Sequence, residues 1–425
     1  MKKRIEKFLL KKNLFIISPR VHSFGGSIYF LGEAIKISNY KKYKKVLCVP
    51  FLFFHKKMFK KRFFSIPILI QLFREMSLLE KLISLILTVY VNFNLILKII
   101  KVRGIIQKIF NSKFCDNYLP ISIGYDGNDN NEYFQTSNEE WSSILNSKIN
   151  FSQIQSSQDF FNKKNYISLY VKDENYNVVS EITNTSVADI EKYKKSLEFL
   201  LKKKFEIIRV GDNLSKKFIF KDDNYFDLTN SNFLNLKNQY VVYQNSKFYL
   251  GTAASGTFFP IFFDKIRIIT NSDSYWANCG YSFNKKNFVI FKKVFSLKQR
   301  KILSIEEILN EPNLFLNEIS KILYSKEYIL IENDSDEIYY ACQSFINYNF
   351  HNLKEDETLL DNYLDLKNNA LDKVYDSNIE FRNFPTLTKY RQCVTNIPKF
   401  YLEKYLFNSD QLKEESEKVR SQIKL

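Results

Sequence analysis

Short apolar runs that alternate with helix-like segments between residues 165 and 271 constrain the fold more than any other feature of the sequence. The runs "NYISLYVKD" (165–173), "FEIIRVGD" (205–212) and "KIRIITN" (265–271) are typical of strands that are buried on both faces of a sheet. Between the first two, "VADIEKYKKSLEFLLKKK" (187–204) carries apolar residues at helical spacing. Repeated βα units of this kind predict a parallel sheet, and ligands bind such sheets at the carboxyl ends of the strands.

The amino-terminal part of the chain repeats the pattern. "NLFIISP" (13–19) is typical of a buried strand, and "KKVLCVPFLFF" (44–54) of a second one. Between them lies a loop with Gly25 and Gly26, followed by apolar residues at helical spacing. Strand, glycine loop, helix and strand in this order predict the beginning of another doubly wound α/β domain.

A polar segment rich in Asn, Ser and Gln marks the clearest boundary in the chain, between about residues 124 and 160. We therefore predict an α/β protein of two doubly wound, Rossmann-like domains that face a cleft, with a helical carboxy-terminal extension. The predicted divisions are a basic domain at 1–125, a polar linker at 126–160, a second domain at 161–310 and the helical extension at 311–425.

The positive charge belongs to the first domain alone. Residues 1–120 contain 24 Lys and Arg against 5 Asp and Glu, a net charge of +19, whereas the remainder has a net charge of −2. Such a field attracts an anionic partner, such as a membrane surface, a phosphorylated lipid or a nucleic acid. The alternative is a solvated, lysine-rich surface that keeps the protein in solution. No known nucleic-acid-binding module is recognisable, so we expect no nucleic acid among the partners.

Cysteine usage and apolar segments indicate the compartment. The five cysteines are scattered without a CxxC pair, which is typical of reduced cytosolic thiols and predicts no metal site. The uncharged segment 82–97 has 16 residues, fewer than the roughly 20 that a membrane-spanning helix needs. We expect a cytoplasmic protein that can also lie on the inner membrane as a peripheral protein.

A run of small residues, "GTAASGT" (251–257), interrupts a chain that is otherwise rich in large side chains. Small residues let a ligand approach the backbone, and a following helix offers unpaired N–H groups to an anion. The alternative is a tight turn in which Ser255 or Thr257 caps the helix. The run follows an aromatic, strand-like stretch that begins at Phe248, so it is expected at the ligand-binding edge, which favours the ligand hypothesis.

Polar residues at the other strand ends complete a predicted site for a nucleotide diphosphate. Backbone N–H groups, hydroxyls and at least one cation are needed to hold its phosphates. Either Lys172 or Arg209 would supply the cation, and the alternative for both is a strand-end charge in water. The predicted donor-binding residues are Lys172, Arg209, Gly211, Asp212, Gly251, Thr252, Ser255, Gly256 and Thr257.

In the first domain, His22 follows the first predicted strand together with Gly25 and Gly26, which we assign to the acceptor side. The intrinsic pKa of histidine suits a general base near neutral pH, so His22 is the candidate catalytic base and Glu33 the second choice. A hydrogen-bonded structural histidine is the alternative. Motifs of serine hydrolases, Walker A loops and zinc proteases do not occur in the sequence.

The order of these motifs resembles a family of bacterial glycosyltransferases of the two-domain GT-B type, found with surface-polysaccharide genes. The family pattern is a His-Val-Arg-Asp-like strand end followed by Tyr, an Asp-Ile-x-x-Tyr helix, an Ile-Arg-Met-Gly-like strand end, and Gly-Thr before Ser-Gly. The matching positions here are Tyr170-Val171-Lys172-Asp173 with Tyr176, Asp189-Ile190 with Tyr193, Ile208-Arg209-Val210-Gly211, and Gly251-Thr252 with Ser255-Gly256. With "SPRVHSFGGSIYFLGEAI" near the start and "IPKFYLEKYLFNSDQL" near the end, the resemblance spans roughly residues 14–412.

The resemblance implies transfer of a sugar from a nucleotide sugar to a glycan or lipid-linked acceptor, without a further cofactor. A more distant similarity to fucosyltransferase-like enzymes favours a GDP-sugar. The chain departs from the pattern at three places: Tyr170 stands for His, Lys172 for Arg, and Ser186-Val187 for Arg-Asn. Two alternatives stay open, a non-catalytic basic protein that binds an anionic membrane or nucleic acid, and an inactive transferase homologue.

Overall fold

The structure is a computed structural model of the 425-residue chain. It describes residues 14–17, 45–48, 78, 82, 159–162, 165–174, 187–211, 215–257, 259–260, 263, 265–273, 275, 285–311, 327–354, 356–377 and 395–422. The chain divides into two compact units, residues 1–154 and 155–425, and this division falls inside the predicted linker. No helix among the described residues is both long enough and apolar enough to cross a membrane.

The first unit contains the two strands that the sequence predicts. Strand β1 (Leu14–Ile17) pairs in parallel with β2 (Lys45–Cys48), with Leu14 opposite Lys45. Parallel neighbours require a crossover connection, which fits the predicted strand–loop–helix–strand order. The predicted glycine loop and helix between them lie outside the described residues.

The second unit is built on a six-stranded parallel sheet with the strand order β5-β4-β3-β6-β7-β8. Its strands are β3 (Tyr166–Tyr170), β4 (Glu206–Arg209), β5 (Tyr225–Asp227), β6 (Phe248–Thr252), β7 (Ile266–Ser272) and β8 (Phe288–Phe291). The predicted strands of this region are confirmed as β3, β4 and β7, and the strand-like stretch that begins at Phe248 is confirmed as β6. Counted from β3, the order is 3-2-1-4-5-6, that of dinucleotide-binding folds.

Helices cover the faces of this sheet, which explains the uninterrupted apolar runs of its strands. A 3₁₀ turn at Ile190–Tyr193 leads into helix α2 (Lys194–Lys202), and the buried side chains of Leu197 and Leu200 belong to the sheet's core. The carboxylate of Asp189 caps the turn by accepting a hydrogen bond from the amide of Glu191. Helices α1 (Asp159–Asn162) and α3 (Leu236–Asn245) precede β3 and β6.

A small antiparallel sheet follows the large one, with the order β10-β9-β11. Its strands are β9 (Lys293–Ser296), β10 (Lys301–Ile302) and β11 (Tyr328–Ile331). Lys292 alone separates β8 from β9, so one extended segment contributes to both sheets. Helix α4 (Ile305–Asn310) begins with a capping box formed by Ser304 and Glu307.

Four helices form most of the described carboxy-terminal region: α5 (Ser335–His351), α6 (Thr358–Ser377), α7 (Lys399–Tyr405) and α8 (Asp410–Gln422). Phe345 of α5 packs against Phe248 and Phe288 of the parallel sheet, with ring centroids 5.0 and 5.7 Å apart. The described part of the carboxy-terminal region is thus mostly helical, but it includes β11 and shares the core of the sheet.

The last strand of the parallel sheet has a partner from far along the chain. Asn396 forms a parallel bridge with Phe288 of β8. The amide of Val289 donates to the carbonyl of Asn396 at 2.9 Å, and the amide of Asn396 donates to the carbonyl of Asn287 at 2.8 Å. The backbone at the outer side of β8 is therefore hydrogen-bonded at this point.

Candidate functional site

The strand order creates a topological switch point between β3 and β6. From β3 the chain proceeds to β4 and β5 on one side, and from β6 to β7 and β8 on the other. The carboxyl ends of these two central strands are continued by Val171–Asp173 and by Ala253–Thr257. Ligands of open parallel sheets bind in the crevice at this position, so the predicted donor residues on β3 and β6 lie where a ligand is expected.

Two glycines of the small-residue run are required by Tyr170. A Cβ atom at Gly251 would lie 2.0 Å from the carbonyl oxygen of Tyr170, its partner on β3, and 2.6 Å from the hydroxyl of Tyr249. A Cβ atom at Gly256 would lie 2.6 Å from the ring of the same tyrosine. The space that the small residues leave is therefore occupied by Tyr170, both by its backbone and by its ring.

The two described hydroxyls of the run have partners within the protein. The Thr252 hydroxyl accepts a hydrogen bond from the amide of Lys172 at 3.1 Å, which joins the ends of β6 and β3. The Thr257 hydroxyl donates to the carbonyl of Ala254 at 2.8 Å. Ser255 begins a 3₁₀ turn, Ser255–Thr257, and its side chain lies outside the described residues. The run is a tight turn whose hydroxyls fix the carboxyl edge, and the predicted donor contacts of these residues stay predictions.

Lys172 is a buried cation directly after β3. Its side chain and backbone together are only 8% exposed. Burial disfavours the ammonium and lowers the pKa of Lys172 to about 8. The negative charge of Asp273 opposes this shift of the pKa, and the positive charge of Lys292 adds to it. The ammonium is still the main form at neutral pH, and it can neutralise an anion.

Arg209, the other predicted cation, is fully buried between two carboxylates. Its guanidinium lies 3.0 Å from the carboxylate of Asp227 and 3.6 Å from that of Asp173. The Asp173 carboxylate also accepts a hydrogen bond from the amide of Lys216 at 2.6 Å. These contacts join the carboxyl ends of β3, β4 and β5. The described contacts of Arg209 are therefore structural. Its predicted donor role is not tested by these contacts.

Gly211, just after β4, has a φ of 155°, within the region that favours glycine. A Cβ atom there would lie 3.0 Å from the Ser215 hydroxyl and 3.1 Å from the Thr229 methyl group. The backbone therefore requires glycine at this strand end. Asp212 lies outside the described residues, as do His22, Gly25, Gly26 and Glu33.

Another buried cation, Lys292, lies at the same edge of the sheet. The sequence analysis missed this residue. It is 4% exposed and follows β8, where its amide donates to the carbonyl of Ser272 at 2.7 Å. Its ammonium donates to the carbonyl of Val187 at 2.6 Å. Burial lowers the pKa of Lys292, and the charge of Lys192 lowers it further, while Glu332 and Asp273 oppose the shift. The signal in the sequence is the run "FVIFKKVFS" (288–296), where two lysines interrupt an apolar segment.

Acidic side chains lie near both buried lysines. Asp273 directly follows β7 and acts on the pKa of both. Glu332 pairs with Lys192 at 3.1 Å and accepts a hydrogen bond from the amide of Asp189 at 3.1 Å. Within the part of the chain that the structure describes, no group of three or more His, Cys, Asp or Glu side chains could hold a metal ion. The chemistry that the described edge offers is charge neutralisation of an anion.

Comparisons with known proteins return no match: no family model, no curated protein and no solved structure matches this chain. A proposal of function therefore depends on the geometry of the carboxyl edge and on the resemblance carried by the sequence motifs.

Proposed function

We propose that the protein is a glycosyltransferase that moves a sugar from a nucleotide-diphosphate donor to a hydroxyl of a glycan or lipid-linked acceptor in surface-polysaccharide synthesis. The donor would bind at the carboxyl edge of the six-stranded sheet. The observation that carries the proposal is the position of Lys172, a buried cation at the switch point between β3 and β6. The family, the two-domain GT-B arrangement, the peripheral inner-membrane location and the GDP-sugar belong to the same proposal.

The convergence of the resembling motifs supports this function. Tyr170–Asp173 ends β3, Ile208–Gly211 ends β4, and Gly251–Gly256 ends β6. These strands are neighbours in the order β4-β3-β6, so segments separated by more than 30 residues in sequence meet at one edge. Such convergence is what a ligand site on a doubly wound sheet requires.

The proposed chemistry assigns roles to the candidate base and to Lys172. His22, or Glu33 in its place, would take the proton of the acceptor hydroxyl, whose oxygen forms the new bond to the sugar's anomeric carbon. The bond between that carbon and the diphosphate oxygen breaks, and its electron pair stays on the diphosphate. The ammonium of Lys172 would stabilise the negative charge of this leaving group. Lysine holds a phosphate as a point charge, without the bidentate geometry of arginine.

The test is a transfer assay with UDP-, GDP- and CMP-sugars, combined with binding of the free nucleotides to wild type and to Lys172→Met. We expect one nucleotide to bind and its sugar to be transferred or hydrolysed, and both signals to fall in Lys172→Met. Lys195→Met is the matched control, because Lys195 is an exposed lysine paired with Asp336 at 2.5 Å. If the protein neither transfers nor hydrolyses any of the nucleotide sugars, the proposal is overturned.

A second candidate, an inactive transferase homologue, is favoured by one observation. The ring of Tyr170 fills the space beside Gly256, where the family pattern has the smaller histidine side chain at the tyrosine's position. In that case a nucleotide would bind without any sugar being transferred. Binding without turnover in the same experiment would select this candidate. Salt-sensitive binding to anionic vesicles without nucleotide binding would instead select the non-catalytic basic protein.

A further inference from the structure

We propose that Lys292 and Lys172 form one subsite for a diphosphate group at the carboxyl edge of the six-stranded sheet. Lys292 is the part of this site that the sequence analysis did not predict. The identification of the ligand as a nucleotide-linked diphosphate rests on the proposed function. The anion site itself rests on the position, burial and charge of the two lysines.

The backbone of Lys292 is held firmly where β8 passes into β9. Its amide donates to the carbonyl of Ser272 at 2.7 Å, and its carbonyl accepts a hydrogen bond from the hydroxyl of Tyr275. Tyr275 is itself buried and stacks on Phe291, with ring centroids 4.7 Å apart. A fixed backbone on both sides places the start of the Lys292 side chain at the edge where β7 and β8 end.

The ammonium of Lys292 is buried and has no close counterion within the part of the chain that the structure describes. It donates one hydrogen bond, to the carbonyl of Val187, and an ammonium has three donors. Among the described residues, no carboxylate oxygen lies within 4.0 Å of it. Burial of a charge without a partner is costly, and buried charges in proteins are normally paired. An anion that binds at this edge would supply the missing partner.

The adjacent residue, Lys293, is a buried lysine with a structural role and serves as a comparison for Lys292. Lys293 is equally buried, but its ammonium lies 3.0 Å from Glu337 and 3.7 Å from Glu415. These carboxylates raise the pKa of Lys293, whereas the pKa of Lys292 is lowered. A close carboxylate among the described residues therefore distinguishes Lys293 from Lys292.

One short segment joins Lys292 to Lys172. The amide of Ala188 donates to the carbonyl of Lys172 at 2.8 Å, and the preceding carbonyl, that of Val187, accepts from the Lys292 ammonium. The two lysines repel each other, which contributes to the lowered pKa of Lys172. Among the described residues, the charged groups that act on the pKa values of the pair are Lys192, Asp273 and Glu332, which gives three ammonium groups and two carboxylates in this set. The excess of one positive charge favours the binding of an anion.

The experiment measures binding of inorganic pyrophosphate to the full chain by calorimetry, for wild type, Lys292→Met, Lys172→Met and the control Lys195→Met. We expect wild type and Lys195→Met to bind equally. Both variants at the edge should bind about 10- to 100-fold more weakly, the effect of losing a charge-assisted hydrogen bond. Failure of wild type to bind pyrophosphate, or wild-type affinity in Lys292→Met, would overturn the proposal. If Lys292→Met does not fold, Lys292→Gln replaces it, because it keeps a donor for the Val187 carbonyl.

Binding of further ligands, measured in the same way, distinguishes the sources of the diphosphate group. UDP and GDP represent the donor, and farnesyl pyrophosphate in detergent represents a lipid-linked acceptor. A nucleotide whose affinity falls in Lys292→Met in parallel with pyrophosphate identifies the donor, and farnesyl pyrophosphate binding alone identifies the lipid. Pyrophosphate binding that depends on Lys292, without any sugar transfer, would sustain this inference and contradict the proposed function. Sugar transfer that is unaffected in Lys292→Met would support the proposed function and contradict the inference about Lys292.

Discussion

The ring of Tyr170 lies against the Cα of Gly256, so close that a Cβ atom at Gly256 would be 2.6 Å from the tyrosine's Cδ1 and 2.8 Å from its Cγ. Tyr170 ends β3, and Gly256 lies in the 3₁₀ turn after β6. The contact therefore spans the switch point of the sheet. It shows that the run of small residues in 251–257 accommodates a large side chain of the protein itself.

This contact predicts a specific coupling between the two positions. We expect Gly256→Ala to lower the free energy of unfolding by about 1–3 kcal/mol, because the added methyl group overlaps the Tyr170 ring. In a Tyr170→Ala background the same substitution should cost little. A double-mutant cycle from urea unfolding should give a coupling of about 1–2 kcal/mol. An equal cost of Gly256→Ala in both backgrounds would show that the ring does not restrict this position.

Gly251→Ala should behave differently, since its clash is with backbone. The added Cβ would lie 2.0 Å from the carbonyl oxygen of Tyr170, and no change of the Tyr170 side chain removes that atom. We expect a loss of unfolding free energy at or above the top of the range of about 1–3 kcal/mol for overpacking. Tyr170→Ala should fail to rescue it. Rescue comparable to that of Gly256→Ala would place the clash in the side chain and contradict the register of β3 and β6.

The lowered pKa of Lys172 predicts how stability depends on pH. Its pKa is about 8 in the folded protein and about 10.5 ordinarily, so between these values the unfolded chain binds more protons. Stability from this group therefore rises as pH increases from 8 to 10.5, and the full penalty is present below pH 8. The shift corresponds to about 3 kcal/mol.

The measurement compares wild type with Lys172→Met, so that other titrating groups cancel. Urea unfolding of both proteins at about pH 7 and about pH 10 gives the difference in unfolding free energy at each pH. We expect this difference to move in favour of wild type by roughly 2–3 kcal/mol at the higher pH. A pH-independent difference would mean that Lys172 keeps an ordinary pKa in the folded protein.

The buried pair of Lys293 and Glu337 predicts a large structural effect away from the proposed site. Glu337 also caps α5 and is hydrogen-bonded by the Tyr405 hydroxyl. We expect Lys293→Met to lower the free energy of unfolding by about 3–5 kcal/mol, because it leaves a buried carboxylate without its closest cation. Lys195→Met, which breaks the exposed pair with Asp336, should cost at most about 1 kcal/mol. Chemical denaturation of both variants checks this contrast, and similar costs for the two would contradict it.

The sequence was sufficient to predict the central strands of the fold and insufficient for the outer ones. Strands β3, β4, β6 and β7 are largely apolar runs buried on both faces, so their composition indicates them. Strand β5 has only three residues, all partly exposed. Strands β8 and β9 contain or adjoin Lys292 and Lys293, and lysine is normally a sign of exposure. Their burial depends on Val187 and Glu337, which only the folded chain brings near.

The same limit applies to the candidate site. The position of Lys172 and Gly251 at the carboxyl edge follows from the βα order, which the sequence contains. The enclosure of Arg209 by Asp173 and Asp227 does not follow from any local pattern, nor does the position of Tyr170 over Gly256. The bond from Lys292 to Val187 joins residues 105 positions apart. Such contacts depend on tertiary structure, and no periodicity or motif in the sequence predicts them.

The pairing of Asn396 with β8 has a consequence for synthesis of the chain. Val289 and Asn287 leave the ribosome about a hundred residues before the segment that supplies their hydrogen-bond partner. At translation rates of about 5–20 residues per second, the segment that contains Asn396 is synthesised ~5–20 s after these backbone groups. An unpaired strand edge in a nascent chain is a site for aggregation or chaperone binding. A message truncated before residue 395 would leave these groups without that partner permanently, so we expect such a truncated chain to aggregate more readily.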